Sequence, residues 1–384
     1  MKFFVFITLV VALVACGPET EPPASALNPA VLEPVTRPAE GPSPVEILPP
    51  IEARDGPLAV LGTASGLLLF DVDAAAPQPA LRLRRIDSRS EEPDPVRVVA
   101  TFDEPIVALT AVRDDPLRRV WVAVLTRRSS SLRLWALSLE ASEVAFTAAP
   151  FGRAPASPVL LDETNLGPAT LTGLREPGQV TFATADIDGV VSLVSLPRGG
   201  GAAPVLSRFA HHATDGPVLA RSHDVSALFF LRDGQAFGRR LDELTVHPLP
   251  LSGDDLQAAA TDDGFELSAV DGRGHLLVLS LDYQLDPRGP ATSLAAGRTS
   301  GGHAAAAFEG GVLRLFHTVS KTGSDREFLS LSAGPVVRLP ELIDLSQPPV
   351  SLSLSRTPDG VFGCWHLQET LTCARVFRPE EALR

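Results

Sequence analysis

The sequence predicts an all-β fold assembled from repeated antiparallel sheets, and three observations carry that prediction. From Leu58 onward apolar and polar residues alternate with a period of two, the pattern of half-buried strands. Long stretches with the 3.6-residue period of a helix are nearly absent. Pairs of alternating runs meet at short polar or glycine-bearing turns, where Asp-Gly and Gly-Gly steps recur because tight hairpin turns require positive φ.

Taken in order, the hairpins are seven. Residues 58–62 pair with 66–72, and 120–125 with 132–139 through serines. Residues 180–184 pair with 190–196 across Asp188-Gly189, and 227–231 with 235–241 across Asp233-Gly234. Residues 265–270 pair with 275–281 across Asp271-Gly272-Arg273-Gly274, 304–308 with 312–319 across Gly310-Gly311, and 361–367 with 370–377. The turn centres lie about 37 to 64 residues apart, so each interval has room for two further strands. In the fourth unit, 217–221 and 244–251 flank the hairpin and make it four-stranded.

Units of about 50 residues resemble the blades of a β-propeller, with seven blades as the best fit and six or eight as alternatives. The resemblance is one of rhythm: no Trp-Asp repeat, kelch double glycine or regular tryptophan motif occurs. A pair of β-sandwiches fits less well, since sandwich strands follow every 8 to 12 residues. The last unit shows only three strands, 350–355, 361–367 and 370–377. Residues near 45–51 are expected to close it, their prolines being tolerable on a sheet edge.

Cys364 and Cys373 fall in that last hairpin. If Gln368-Glu369 is a two-residue turn, the two cysteines sit directly opposite each other on a non-hydrogen-bonded rung, where α-carbons approach closely and a cross-strand disulfide fits. A disulfide between Cys364 and Cys373 is therefore expected, stapling the closing unit.

The N-terminus gives the chain an address. Lys2 and the apolar run 3–14 form a signal sequence too short to span a bilayer, and Leu13-Val14-Ala15-Cys16 resembles the lipobox of bacterial lipoproteins. The resemblance implies removal of residues 1–15 and acylation of Cys16, with two or three chains giving stable anchoring. Gly17 is not the aspartate that resembles an inner-membrane retention signal, so the outer membrane is the expected location. Residues 16–56, dense in proline and glutamate, read as a tether that reaches about 40 Å as a coil and about 120 Å fully extended. Residues 57–384 are then the propeller domain.

The chain carries 33 basic and 46 acidic residues, a net charge of −13 that becomes −14 once Lys2 is removed. Such a balance excludes nucleic acid and anionic headgroups as partners, because both need clustered basic charge. The lipid anchor is the expected membrane contact, and an envelope protein the expected partner. No catalytic residue, metal-ligand set or cofactor is assigned. His211-His212 with Asp215 is the densest metal-like cluster, but neighbouring residues of a strand point to opposite faces. Asp186-Ile187-Asp188-Gly189 resembles a fragment of a calcium loop without its later ligands and reads as a turn, as do Gly272-Arg273-Gly274 and Gly199-Gly200-Gly201. No Gly-x-Ser-x-Gly elbow, His-Glu-x-x-His helix or Walker loop occurs. Tyr283, Trp121, Trp135 and Trp365 are the residues available for stacking on a sugar. The sequence favours a lipid-anchored propeller that binds another protein or acts as a scaffold; the alternative is a propeller-type hydrolase or lactonase with a metal or carboxylate site in the central channel.

Overall fold

Positive φ at a few turn residues folds the alternating runs back on themselves. Asp233 and Gly234 take φ of 52° and 75°, as a two-residue hairpin turn demands, and Gly189 takes 73° at the end of the longer loop closed by the Asp186 N–H to Val190 O bond. The computed structural model describes residues 45–52, 56–63, 66–87, 95–114, 119–140, 158–167, 169–197, 203–294, 298–308, 311–319, 327–333, 337–338, 343–345, 349, 351–357, 360–367 and 369–376. Cys16, the apolar leader and the glycines 199–201 lie outside them.

The strands form seven antiparallel sheets in succession, blades 1 to 7, spanning residues 59–101, 106–165, 171–210, 215–252, 254–293, 298–345 and 351–376. The innermost strands are Ala59–Thr63, Ile106–Asp114, Leu171–Glu176, Asp215–Ser222, Asp254–Thr261, Arg298–Phe308 and Ser351–Thr357. Each lies against the next, and Ser351–Thr357 lies against Ala59–Thr63, so the ring closes. The arrangement is a β-propeller.

Each expected hairpin is present in its own sheet. Five join the second and third strands of a blade, while the turns near residues 65 and 310 join the first and second. That difference accounts for the uneven spacing in the sequence. Measured at the second-to-third connection of every blade, the intervals narrow to about 39 to 59 residues.

Blade 7 is completed by the N-terminal segment. Val45–Ile47 and Ile51–Glu52 both pair antiparallel with Thr370–Val376, and Leu48 N–H donates to the Cys373 carbonyl at 2.9 Å. The propeller therefore begins at Val45, inside the stretch expected as tether, and the exposed Pro49-Pro50 sits between the two short strands at the sheet edge. Cys364 stands opposite Cys373 in register, with α-carbons 4.1 Å apart and the disulfide formed.

The core lies between blades, because both faces of each sheet are covered. In the strand Arg119–Arg128, Val120, Val122 and Val124 pack toward blade 1, and Ala123 and Leu125 toward blade 3. Leu67 and Leu69 meet Phe362, Cys364 and Cys373 across the closure, while Leu68 and Phe70 face blade 2. Strict alternation thus becomes a near-continuous apolar run in the middle strands.

One device repeats at the end carrying the second-to-third turns. The chain leaving a blade donates an N–H to its own turn: Ala213 to Gly189 O at 3.0 Å, Gly253 to Gly234 O at 2.8 Å and Thr299 to Gly274 O at 2.6 Å. A Cβ on Gly189 would stand 2.4 Å from the backbone of His212 and Ala213, so this approach needs glycine. Among the described residues no helix is long and apolar enough to cross a membrane.

Candidate functional site

The turn-bearing end of blades 2, 3 and 4 carries an open cavity of about 500 Å³, lined by Arg127, Leu166, Gly167, Ile187, Ala213 and Thr214. The second strand of blade 2 contributes Arg127 near its end, and the segment leaving that blade contributes Leu166 and Gly167. Ile187 lies in the hairpin turn of blade 3, and Ala213 and Thr214 lead from blade 3 into blade 4.

Local hydrogen bonds hold these walls. The Asp186 carboxylate accepts the N–H groups of Asp188 at 3.0 Å and Val190 at 2.8 Å, which closes the turn and leaves Ile187 projecting, 70% exposed. Asp186-Ile187-Asp188-Gly189 is thus a hairpin turn whose first carboxylate is occupied by its own backbone. A Cβ on Gly167 would come within 2.4 Å of the Asp186 carbonyl carbon, so the exit of blade 2 lies flush on that turn. The Thr214 hydroxyl donates to Leu231 O at 3.3 Å and accepts from Asp233 N–H at 3.1 Å.

Arg127 brings the only charge in the lining among the described residues. Nearby Glu104 accepts from Thr126 at 2.8 Å and Arg133 at 2.9 Å, and Arg128 approaches it at 3.8 Å. That carboxylate is neutralised by other cations, and the exposed Arg127 forms no ion pair among the described residues.

Beside the cavity, the residues of the sequence-level metal cluster do not converge. His211 is buried between Phe230, at 4.8 Å, and Phe209, at 5.5 Å, in parallel stacks, while His212 is exposed in the left-handed region. Burial, followed by the cations of Arg239 and Arg232, lowers the His211 pKa to about 4. Asp215 accepts from the N–H groups of Gly216 and Asp255, at 2.7 and 2.8 Å. Among the described residues no group of three or more His, Cys, Asp and Glu side chains could hold a metal ion.

Blades 5 and 6 bring together three residues that no sequence motif links. Asp255 Oδ2 lies 2.6 Å from both the backbone nitrogen and Nδ1 of His303, and His303 Nε2 lies 2.8 Å from Ser268 Oγ. Burial would raise the Asp255 pKa; the hydrogen bonds and charge of His303 outweigh it and hold the carboxyl below its usual range. The order of contacts is that of a serine hydrolase relay. Yet Ser268 has no exposed surface and His303 is 3% exposed, so no substrate carbonyl reaches the hydroxyl. The relay ties the innermost strand of blade 6 to blade 5. Asp215, bonded to the Asp255 N–H, extends the same tie to blade 4.

The aromatic residues available for sugar stacking are covered to different degrees. Trp365 is fully buried, Trp121 and Trp135 are half-buried, and Trp135 Nε1 donates to Thr126 Oγ1 at 3.0 Å. The Tyr283 hydroxyl, on a half-buried ring, donates to Asp262 O. Gly272-Arg273-Gly274 is a turn closed by Asp271, which accepts from Arg273 and His275 N–H at 2.8 Å each.

Sequence reasoning singled out the turn at 186–189 but not the cavity, because its lining comes from four separated places along the chain. A position-by-position comparison of the blades would have drawn attention to Asp215 and Asp254-Asp255, which occupy matching bulged starts of innermost strands.

Comparison with solved structures agrees with the architecture. AofleA from Arthrobotrys oligospora superposes with a TM-score of 0.50 at 10% identity, covering 79% of this chain and 90% of that one. A Dos1 propeller gives 0.49 at 8% identity over 87% and 95% of the two chains. The β-propeller domain of the Trilobed protease from Pyrococcus furiosus gives 0.46 at 7% identity over 84% and 94%. No protein-family model and no curated protein matches the sequence.

Proposed function

We propose that the protein is a lipid-anchored propeller of the bacterial cell envelope, held at the outer membrane by an acylated Cys16, that binds another envelope protein through the turn-bearing end of blades 2 to 4. The observation that carries this reading is Ile187, a large aliphatic side chain 70% exposed on a hydrogen-bonded turn at the mouth of a cavity. An apolar group fixed in water beside a preformed depression is the anatomy of an interface anchor. Leu13-Val14-Ala15-Cys16 supports the anchor. A net charge of −14 after processing disfavours nucleic acid and anionic headgroups. The serine of the one relay present among the described residues is covered and lends no support to the alternative, a hydrolase or lactonase with a metal or carboxylate site in the central channel.

The test is retention of proteins from envelope extracts on immobilised residues 17–384, compared with the same chain carrying Ile187→Asp. A single protein retained in stoichiometric amount by the first and lost by the second, with equal melting temperatures, is the expected result. Equal retention by both, or none by either, overturns the reading.

A further inference from the structure

Building on that protein-binding reading, we propose that the cavity of blades 2 to 4 captures the C-terminal carboxylate of a partner polypeptide together with its last, aliphatic side chain. Among the described residues the lining holds one cation, Arg127, and no acid, in a chain whose net charge is −13. Three of the nearby carboxylates are committed elsewhere. Glu104 is held by Thr126, Arg133 and Arg128, Asp186 by the backbone of its own turn, and Asp162 by Arg208 at 2.5 Å. Asp188, on the same turn as Ile187, is exposed and outside the lining. Arg127 thus lines the cavity with no ion pair among the described residues, and a guanidinium fork matches a carboxylate with two parallel hydrogen bonds.

The rest of the lining is apolar or already satisfied. Leu166, Ile187 and Ala213 offer hydrocarbon, and both hydrogen-bonding capacities of the Thr214 hydroxyl are used internally. A ligand for this lining must place one anion close to one aliphatic group. In a polypeptide, the residue that carries both on a single α-carbon is an aliphatic C-terminal residue. An internal Asp or Glu would present its charge without the hydrocarbon. A volume of about 500 Å³ lies in the range of small-ligand sites and suits a terminal residue with its neighbour, not a folded element. The walls are fixed by the close packing at Gly167 and Gly189, so binding costs little ordering of the cavity.

The probe is a fluorescein-labelled hexapeptide ending in Ala-Leu, with either a free carboxylate or a C-terminal amide, followed by fluorescence anisotropy on residues 17–384. The free acid is expected to bind at least ten-fold more tightly than the amide. Arg127→Gln should abolish that difference, and Ile187→Asp should weaken the acid more than ten-fold, both with unchanged melting temperature because the two side chains are exposed. Equal binding of acid and amide, no binding of either at millimolar protein, or full discrimination retained in Arg127→Gln each overturns the proposal. Displacement by 4-methylpentanoate at an affinity equal to the peptide's also overturns it, since the site would then belong to a small free carboxylate. If an envelope protein is retained and lost with Ile187→Asp while the peptides are not discriminated, the protein-binding reading stands and the terminal carboxylate falls. If extract retention fails while the acid is discriminated, the carboxylate site stands without that partner.

Discussion

His211 lies between two phenyl rings, with Arg232 Nε donating to its carbonyl at 2.8 Å and the Arg239 guanidinium 3.9 Å from the centre of the Phe209 ring. A proton on that imidazole has no solvent and meets two cations, which is why its pKa falls from 6.5 to about 4. The unfolded chain binds this proton first as pH drops, so the neutral histidine's contribution to stability is complete above about pH 6.5 and is lost as pH falls toward 4. The loss amounts to about 2 kcal/mol once partial solvent screening is allowed for. Urea unfolding between pH 7 and pH 4 should show this slope in the wild type and a flatter one in His211→Phe; identical slopes would refute the assignment. The Asp255–His303–Ser268 relay makes a second prediction at this scale. Ser268→Ala should cost about 1 kcal/mol and His303→Ala about 3 kcal/mol, because the latter leaves Asp255 uncompensated at a blade interface. Neither should alter hydrolysis of an activated ester, whereas a catalytic relay would lose it in both. None of this was legible in the sequence: positions 255, 268 and 303 share no motif and meet only through the ring.

The hairpin was the element the sequence displayed most openly, since Asp233-Gly234 and Asp188-Gly189 carry the turn requirement in two residues and the flanking alternation carries the strands. Outer strands such as Val205–Ala210 were missed, because they expose both faces and so lose the period-two contrast. The closing strand was legible for another reason: the last unit lacked a fourth strand, and 45–51 was the apolar segment left over. Its packing now gives it a weight. Ile51 is 6% exposed beside Leu371 and the disulfide, and burying such a side chain contributes about 2 kcal/mol before its ladder bonds are counted. A chain beginning at residue 43 should melt with the full-length protein, whereas one beginning at residue 54 should melt on the order of 5 °C lower. Replacing both Cys364 and Cys373 by alanine should cost about 2 to 3 kcal/mol, measured by urea unfolding against the oxidised wild type. The two changes should be non-additive, because Leu48 N–H bonds the Cys373 carbonyl and both act on one strand.

At the scale of the whole molecule, charge and anchoring oppose one another, and the opposition is testable. A body with a net charge near −14 is repelled by an anionic lipid surface, so its own electrostatics would keep the propeller in solution. Exposed aliphatics on the outer strands, such as Val98, Val159 and Val205, belong to different blades and do not make one continuous insertion face. In the proposed anchoring, membrane association comes from hydrocarbon attached to Cys16, at about 0.8 kcal/mol per buried methylene. Such binding is insensitive to salt, because no ion pairs hold it, and it vanishes with the cysteine. In a detergent phase partition the mature protein should enter the detergent phase at both 0.1 and about 1 M salt, where the Debye length shrinks to about 3 Å. The Cys16→Ser variant, trimmed to residue 16, should stay in the aqueous phase with an unchanged melting temperature. Salt-released binding would point to a charged partner in place of the acyl chains, and detergent partitioning of Cys16→Ser would place the membrane contact on the propeller itself.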